Sequence, residues 1–200
     1  MDSPQSPDSR IAKSALRDQV LAARKRRPLD AAAAFSADVA GVALGWQVVR
    51  RAATVAAYVS VGGEPGTGLL LDALAAAGKR VLLPVVVTGL DLDWAAYSGR
   101  SGLAPAVRGL IEPTGPRLGK DAIAQADVVL VPGTAVSADG ARLGQGGGCY
   151  DRALPRVAAG TPVAVVLYDD EVGLAVPSDP HDVRVGFALT ASRVVPLTAG

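Results

Sequence analysis

Four short apolar runs recur along the chain: TVAAYVS (54–60), RVLLPVVV (80–87), ADVVLVPG (126–133) and TPVAVVLY (161–168). They are rich in valine and show no polar alternation, the pattern of strands buried on both faces. Helical stretches lie between them. GLLLDALAAAGK (68–79) places Gly78 near its C-terminus, and YDRALPRVA (150–158) starts another helix. LDWAAYS (92–98) follows a Gly89-Leu90 turn and reads as a further strand, and VRVGFALT (183–190) as the last. Strand, helix and strand in repetition predict an α/β fold: a three-layer sandwich with a mostly parallel, Rossmann-like central sheet.

Two helices are expected before this core. Ser9 can cap one from about Arg10 to Arg27, with Ile11, Leu16, Val20 and Leu21 as a loose apolar stripe. Pro28 ends it. Asp30 then caps an Ala-rich helix that runs to about Arg51. Residues 1–9 read as a disordered tail, and 10–200, without linker or repeat, as a single domain.

Composition narrows the chemistry. Lys+Arg 20 against Asp+Glu 19 gives a net charge of +1, without the basic excess of a nucleic-acid surface. With two Trp, four Tyr and two Phe there are too few aromatics for a base-stacking platform. One Cys and one His exclude an internal disulfide and a Cys/His zinc site. The polar start is not a targeting signal, and no apolar stretch approaches the ~18 residues of a membrane span. A cytoplasmic protein is expected, acting as a monomer on small molecules, with neither nucleic acid nor membrane as partner.

Sheets of this kind bind ligands beyond the carboxyl ends of their strands, so the loops after Ser60, Pro132 and Tyr168 are the places to search. The segment Arg142-Leu143-Gly144-Gln145-Gly146-Gly147-Gly148-Cys149-Tyr150-Asp151 lies between a buried strand and a helix. Its glycines leave backbone N–H groups unshielded, and Arg142 adds a positive charge, so the loop suits an anion such as phosphate. Its spacing is neither a Walker loop nor the dinucleotide G-x-G-x-x-G. Asp151 either complements the helix dipole or holds a Mg²⁺ ion shared with phosphate oxygens. Lys13 and Arg17, four apart, share one helix face: a solvated pair, or a clamp on phosphate. Glu64 on its own reads as a loop charge before the Pro65-Gly66 turn.

Taken together, K-S-A-L-R (13–17), Y-V-S-V-G-G-E (58–64), G-K-R-V-L-L-P (78–84), L-I-E-P (110–113), the string from Val131 to Arg152 with its R-L-G-Q-G-G-G-C-Y-D core, and P-H-D (180–182) resemble the 5-formyltetrahydrofolate cyclo-ligase family. The resemblance implies conversion of 5-formyltetrahydrofolate, ATP and Mg²⁺ to 5,10-methenyltetrahydrofolate, ADP and phosphate. Phosphorylation of the formyl oxygen would activate it for attack by nitrogen 10. That chemistry needs positioning and charge neutralisation rather than a protein nucleophile.

Carried over by position, Lys13, Arg17, Arg142, Leu143, Gly144, Gln145, Gly146, Gly147, Gly148, Cys149 and Tyr150 match ATP-binding positions. Val59, Glu64, Gln145, Gly146, Gly148 and Cys149 match substrate positions, with Glu64 on the pterin side. Asp151 and Asp182 match the magnesium carboxylates. Arg17, Arg142 and Tyr150 are the residues expected to assist the reaction, and His181 to orient its loop.

Three positions depart from the family pattern. Cys149 stands where a Tyr is usual, Val136-Ser137 where Phe-Asp is common, and Arg108 where an aromatic is common. They keep open an alternative function, a non-catalytic paralogue that binds folate or nucleotide. The glycine loop alone would also suit a phosphosugar isomerase-like enzyme.

Overall fold

The computed structural model describes residues 7–179 and 182–198. Three helices come first: α1 (Pro7–Lys25), α2 (Leu29–Gly45) and α3 (Gln47–Arg51). The sheet strands are β1 (Thr54–Ala56), β2 (Arg80–Val87), β3 (Asp91–Ala96), β6 (Val128–Pro132), β9 (Val163–Val166), β10 (Phe187–Leu189) and β11 (Val194–Pro196). Helix α4 (Gly68–Ala76) joins β1 to β2. Two small hairpins, β4 (Leu103–Pro105) with β5 (Ile111–Pro113) and β7 (Ala135–Val136) with β8 (Arg142–Leu143), stand outside the sheet, and α5 (Cys149–Ala153) follows the glycine loop.

The seven strands run in the order β11-β10-β9-β6-β1-β2-β3. The five inner strands pair in parallel, while β3 and β11 close the edges antiparallel. This is the α/β architecture expected from the valine runs. Side-chain alternation divides each inner strand between two cores. Val55, Leu83, Leu130 and Val166 face α2 and α4, meeting Phe35, Val39, Leu70 and Leu74. Ala56, Leu82, Val129 and Val165 face the other way, toward Trp94, Ile123 and Leu154. That second layer is built from the 3₁₀ turn Lys120–Gln125, α5 and the 3₁₀ turn Leu154–Arg156 rather than long helices.

Element boundaries differ from the sequence reading for local reasons. Helix α1 begins at Pro7, so Ser9 lies within its first turn and its hydroxyl donates to Asp179 Oδ2 at 2.9 Å instead of capping. Trp46 takes extended angles (φ −69°, ψ 122°) and splits the expected 30–51 helix into α2 and α3. Strand β1 stops at Ala56 because β2 and β6 pair with it only that far. Pro84 is tolerated inside β2 because it lies beyond the pairing with β1, where only β3 is a neighbour.

Leu130, 1% exposed in the central strand, has no route for its surroundings to collapse. Leu130→Ala is expected to destabilise the protein by about 2–5 kcal/mol. Urea unfolding checks this through a lower midpoint at unchanged m-value.

Candidate active site

Helix α1 crosses the carboxyl ends of the strands and is held there mainly by its cations. Lys13 Nζ donates to Asp179 Oδ2 at 2.7 Å and Asp182 Oδ2 at 2.5 Å. Burial works against the lysine's charge, but the two carboxylates outweigh it and raise its pKa. One turn on, Arg17 Nε donates to the Gly144 carbonyl at 2.9 Å. Arg24 forms a buried fork to Glu171, with Nε–Oε1 and Nη2–Oε2 both at 2.7 Å, and Nη2 also reaches the Gly133 carbonyl at 2.8 Å. The expected apolar stripe is only partly used: Val20 is buried, but Ile11 is 69% exposed.

Beneath α1 lies a cavity of about 730 Å³. Its wall contains Lys13, Arg17, Val59, Glu64, every residue from Arg142 to Asp151, and Asp182. Every candidate residue named from the sequence therefore reaches one space, apart from His181, which lies outside the described residues. Of the three loops expected to matter, those after Ser60 and Pro132 supply wall residues. The loop after Tyr168 instead provides Glu171 as the partner of Arg24.

The glycine loop is tied down at both ends. Arg142 is 8% exposed; its Nη1 donates to the Pro132 carbonyl at 3.1 Å and its Nη2 to Asp151 Oδ1 at 2.9 Å. This guanidinium fastens the end of β6 to the start of α5. The Leu143 carbonyl accepts from both Thr134 N (2.7 Å) and Thr134 Oγ1 (3.0 Å). Gly146 (φ 94°) and Gly148 (φ 67°) occupy the left-handed region, and a Cβ on Gly148 would lie 2.9 Å from Arg152 Nη1. Since α5 has five residues, its dipole adds little. The charged donors on this wall are Lys13, Arg17 and Arg142, of which Lys13 and Arg142 are paired with carboxylates.

Elsewhere on the wall the chemistry reverses sign. Glu64 accepts from Val61 N at 2.9 Å and Gln145 Nε2 at 2.8 Å. Burial raises its pKa above the ordinary 4.5, against the lowering effect of these bonds and of Arg24. Tyr150 lies with its ring 5.8 Å from the Arg142 guanidinium, and burial pushes its phenol well above the ordinary range. Burial also raises the Cys149 thiol, which is the reverse of nucleophile activation.

Asp151 and Asp182 are hard oxygen donors on the same wall, already neutralised by Arg142 and Lys13. Among the described residues no three His, Cys, Asp or Glu side chains converge as a metal cage. Carboxylate oxygens are the donor type that magnesium combines with phosphate oxygens.

The 5-formyltetrahydrofolate cyclo-ligase family model matches residues 9–191. The chain belongs to this cyclo-ligase family. A 5-formyltetrahydrofolate cyclo-ligase of Mycolicibacterium smegmatis is 48% identical over 146 residues, covering 70% of this chain and 74% of the relative. That of Escherichia coli K12 is 32% identical over 144 residues, covering 70% and 79%. The NMR structure of Aquifex aeolicus 5,10-methenyltetrahydrofolate synthetase superposes with a TM-score of 0.78 at 28% identity, covering 94% of each chain. The Mycoplasma pneumoniae synthetase shares the fold at TM-score 0.70 and 20% identity, over 90% of this chain and 98% of that one.

Against the cyclo-ligase pattern, the departures are unequal. Cys149 and Arg108 line the cavity, and Arg108 adopts a left-handed backbone (φ 61°). Val136 is fully buried in the β7–β8 hairpin, and Val136-Ser137 does not reach the cavity wall. Glu171, the partner of Arg24, escaped the sequence reading because the two are 147 residues apart.

Glu64 gives a pH test with a definite sign. Its folded pKa is raised, so the folded state holds this proton longer than the unfolded one, and stability falls as pH rises from 4.5 through the folded pKa. Glu64→Gln should therefore raise the Tm of the free protein at pH 7–8. The gain should vanish near pH 4, as thermal scans across that range would show.

Proposed function

We propose that this chain converts 5-formyltetrahydrofolate to 5,10-methenyltetrahydrofolate, using ATP with Mg²⁺ and releasing ADP and phosphate. The carrying observation is the single cavity with two chemically opposed regions: a glycine loop ringed by Lys13, Arg17 and Arg142, and a half-buried Glu64. Loop N–H groups and three cations suit a polyphosphate. A desolvated carboxylate suits the N–H donors of a pterin ring.

In this reading the γ-phosphoryl group passes to the formyl oxygen with release of ADP, nitrogen 10 attacks the activated carbon, and the formyl oxygen leaves as phosphate, which takes up the nitrogen-10 proton as the methenyl bridge closes. Arg142 and Arg17 neutralise charge on the transferring phosphoryl group, and Tyr150 packs against Arg142 and helps set its orientation. Asp151 and Asp182 would hold Mg²⁺, whose chemistry is to neutralise phosphate oxygens. Lys13 fixes Asp182, and Val59 and Cys149 supply apolar wall on the substrate side. None of these roles needs a side chain with a lowered pKa, in keeping with a protonated Cys149 and Tyr150.

Purified protein with ATP, Mg²⁺ and 5-formyltetrahydrofolate should develop the methenyl absorbance, and omission of ATP should abolish it. No absorbance change under conditions where an authentic cyclo-ligase works would overturn the proposal. Binding of both ligands without ADP formation would favour the non-catalytic paralogue.

Asp151→Ala should lower kcat by at least about 100-fold and raise the Mg²⁺ concentration needed for half-maximal rate. Its circular dichroism spectrum should match wild type. Unchanged Mg²⁺ dependence would remove Asp151 from the metal site.

A further inference from the structure

Two phenol hydroxyls at the cavity, Tyr58 Oη and Tyr150 Oη, are buried without a hydrogen-bond partner among the described residues. Buried hydroxyls are almost always bonded, and an orphan is a net cost to the fold. Tyr58 cannot swing away from this situation. Its backbone carbonyl accepts from Thr67 Oγ1 at 2.8 Å, and the preceding Ala57 N donates to the Leu82 carbonyl at 2.9 Å. Its ring is wedged into the helix-side core at 4% exposure, with the residue still forming part of the cavity wall.

Glu64 lines the same cavity and is near enough for its charge to help raise the Tyr58 pKa, together with burial. The phenol therefore keeps its proton and remains a donor. Yet the two do not bond each other: the Glu64 oxygens are taken by Val61 N and Gln145 Nε2. A residue with a protonated, covered donor and a residue with a carboxylate acceptor thus border the same cavity, and a ligand seated between them would need only a small shift of the wall to meet both. A pterin ring presents the complement on its polar edge, N–H donors beside a ring carbonyl.

We propose that Tyr58 is a substrate-binding residue whose hydroxyl hydrogen-bonds the polar edge of the pterin ring beside Glu64. This rests on the folate reading of the cavity given above. The hydroxyl is kept in the free protein at a cost to stability because the substrate satisfies it.

Tyr58→Phe tests this, since it removes only the hydroxyl. The variant should bind 5-formyltetrahydrofolate about three- to tenfold more weakly by calorimetry, the effect of one lost hydrogen bond. Its KM for the folate should rise in parallel while its KM for ATP stays at the wild-type value. The Tm of the free protein should be equal to or above wild type, because an orphaned group has been removed. Unchanged folate affinity would overturn the assignment. So would a lowered Tm with equal losses for both ligands, the mark of a packing residue. Wild-type protein that binds no 5-formyltetrahydrofolate would instead overturn the proposed function itself.

Discussion

Helix α1 is docked onto the sheet by charge, and the site exists only because it is docked. Lys13, Arg17 and Arg24 fall on one face of the helix and Arg27 lies just past its end, each in contact with a carboxylate or carbonyl of the sheet's carboxyl-end loops. Apolar packing contributes little, since Val20 is the helix's one fully buried hydrophobic residue among those described. The Arg24–Glu171 fork anchors the arrangement. Both side chains are almost completely buried, so each depends on the other: removing either leaves a charge that nothing nearby can solvate. The Nη2 bond to the Gly133 carbonyl extends that anchor to the turn after β6.

From this anchor the cavity follows in order. Gly133 sits where a Cβ would lie 2.5 Å from Val165 Cγ2, so the chain can turn tightly against β9. The turn carries Thr134, which grips the Leu143 carbonyl, and Arg142 grips the carbonyl of Pro132 in return. The glycine loop is thus held by its flanks and left open at its centre, which suits a surface meant to wrap a polyphosphate. Arg17 reaches the same loop from the opposite side through Gly144. Displacing α1 would remove two cations from the cavity and one tether from the loop at once.

How much of this could be read from the sequence differs by the kind of force involved. The parallel sheet was legible because burial on both faces demands unbroken apolar runs, and Val128–Val131 shows one. The glycine loop was legible because Gly146 and Gly148 take backbone angles that other residues avoid. Helix α1 was legible as a helix, but its docking depends on cations that an apolar stripe does not report: Val20 is buried while Ile11 is 69% exposed. Glu171 was silent for a related reason: its meaning lies in the pairing with Arg24, 147 residues away, which no local spacing rule reports. The β4–β5 and β7–β8 hairpins, with strands of two or three residues, fall below the length at which periodicity exists.

The scarcity of His and Cys takes on a different sense in this setting. A Ser-His-Asp triad in this chain would have to use its one histidine, and a Cys nucleophile its one cysteine. Here the cavity offers fixed cations, open backbone N–H groups and carboxylates, and the groups that could titrate are held away from reactivity by burial. The strain sits elsewhere, in a desolvated Glu64 and in the orphaned hydroxyls of Tyr58 and Tyr150. Each of these lines the same cavity. A core selected for stability alone would carry Gln or Phe at such positions. Unpartnered polar atoms also occur away from the cavity, as at Trp94 Nε1, but those that line it are the ones a ligand can satisfy.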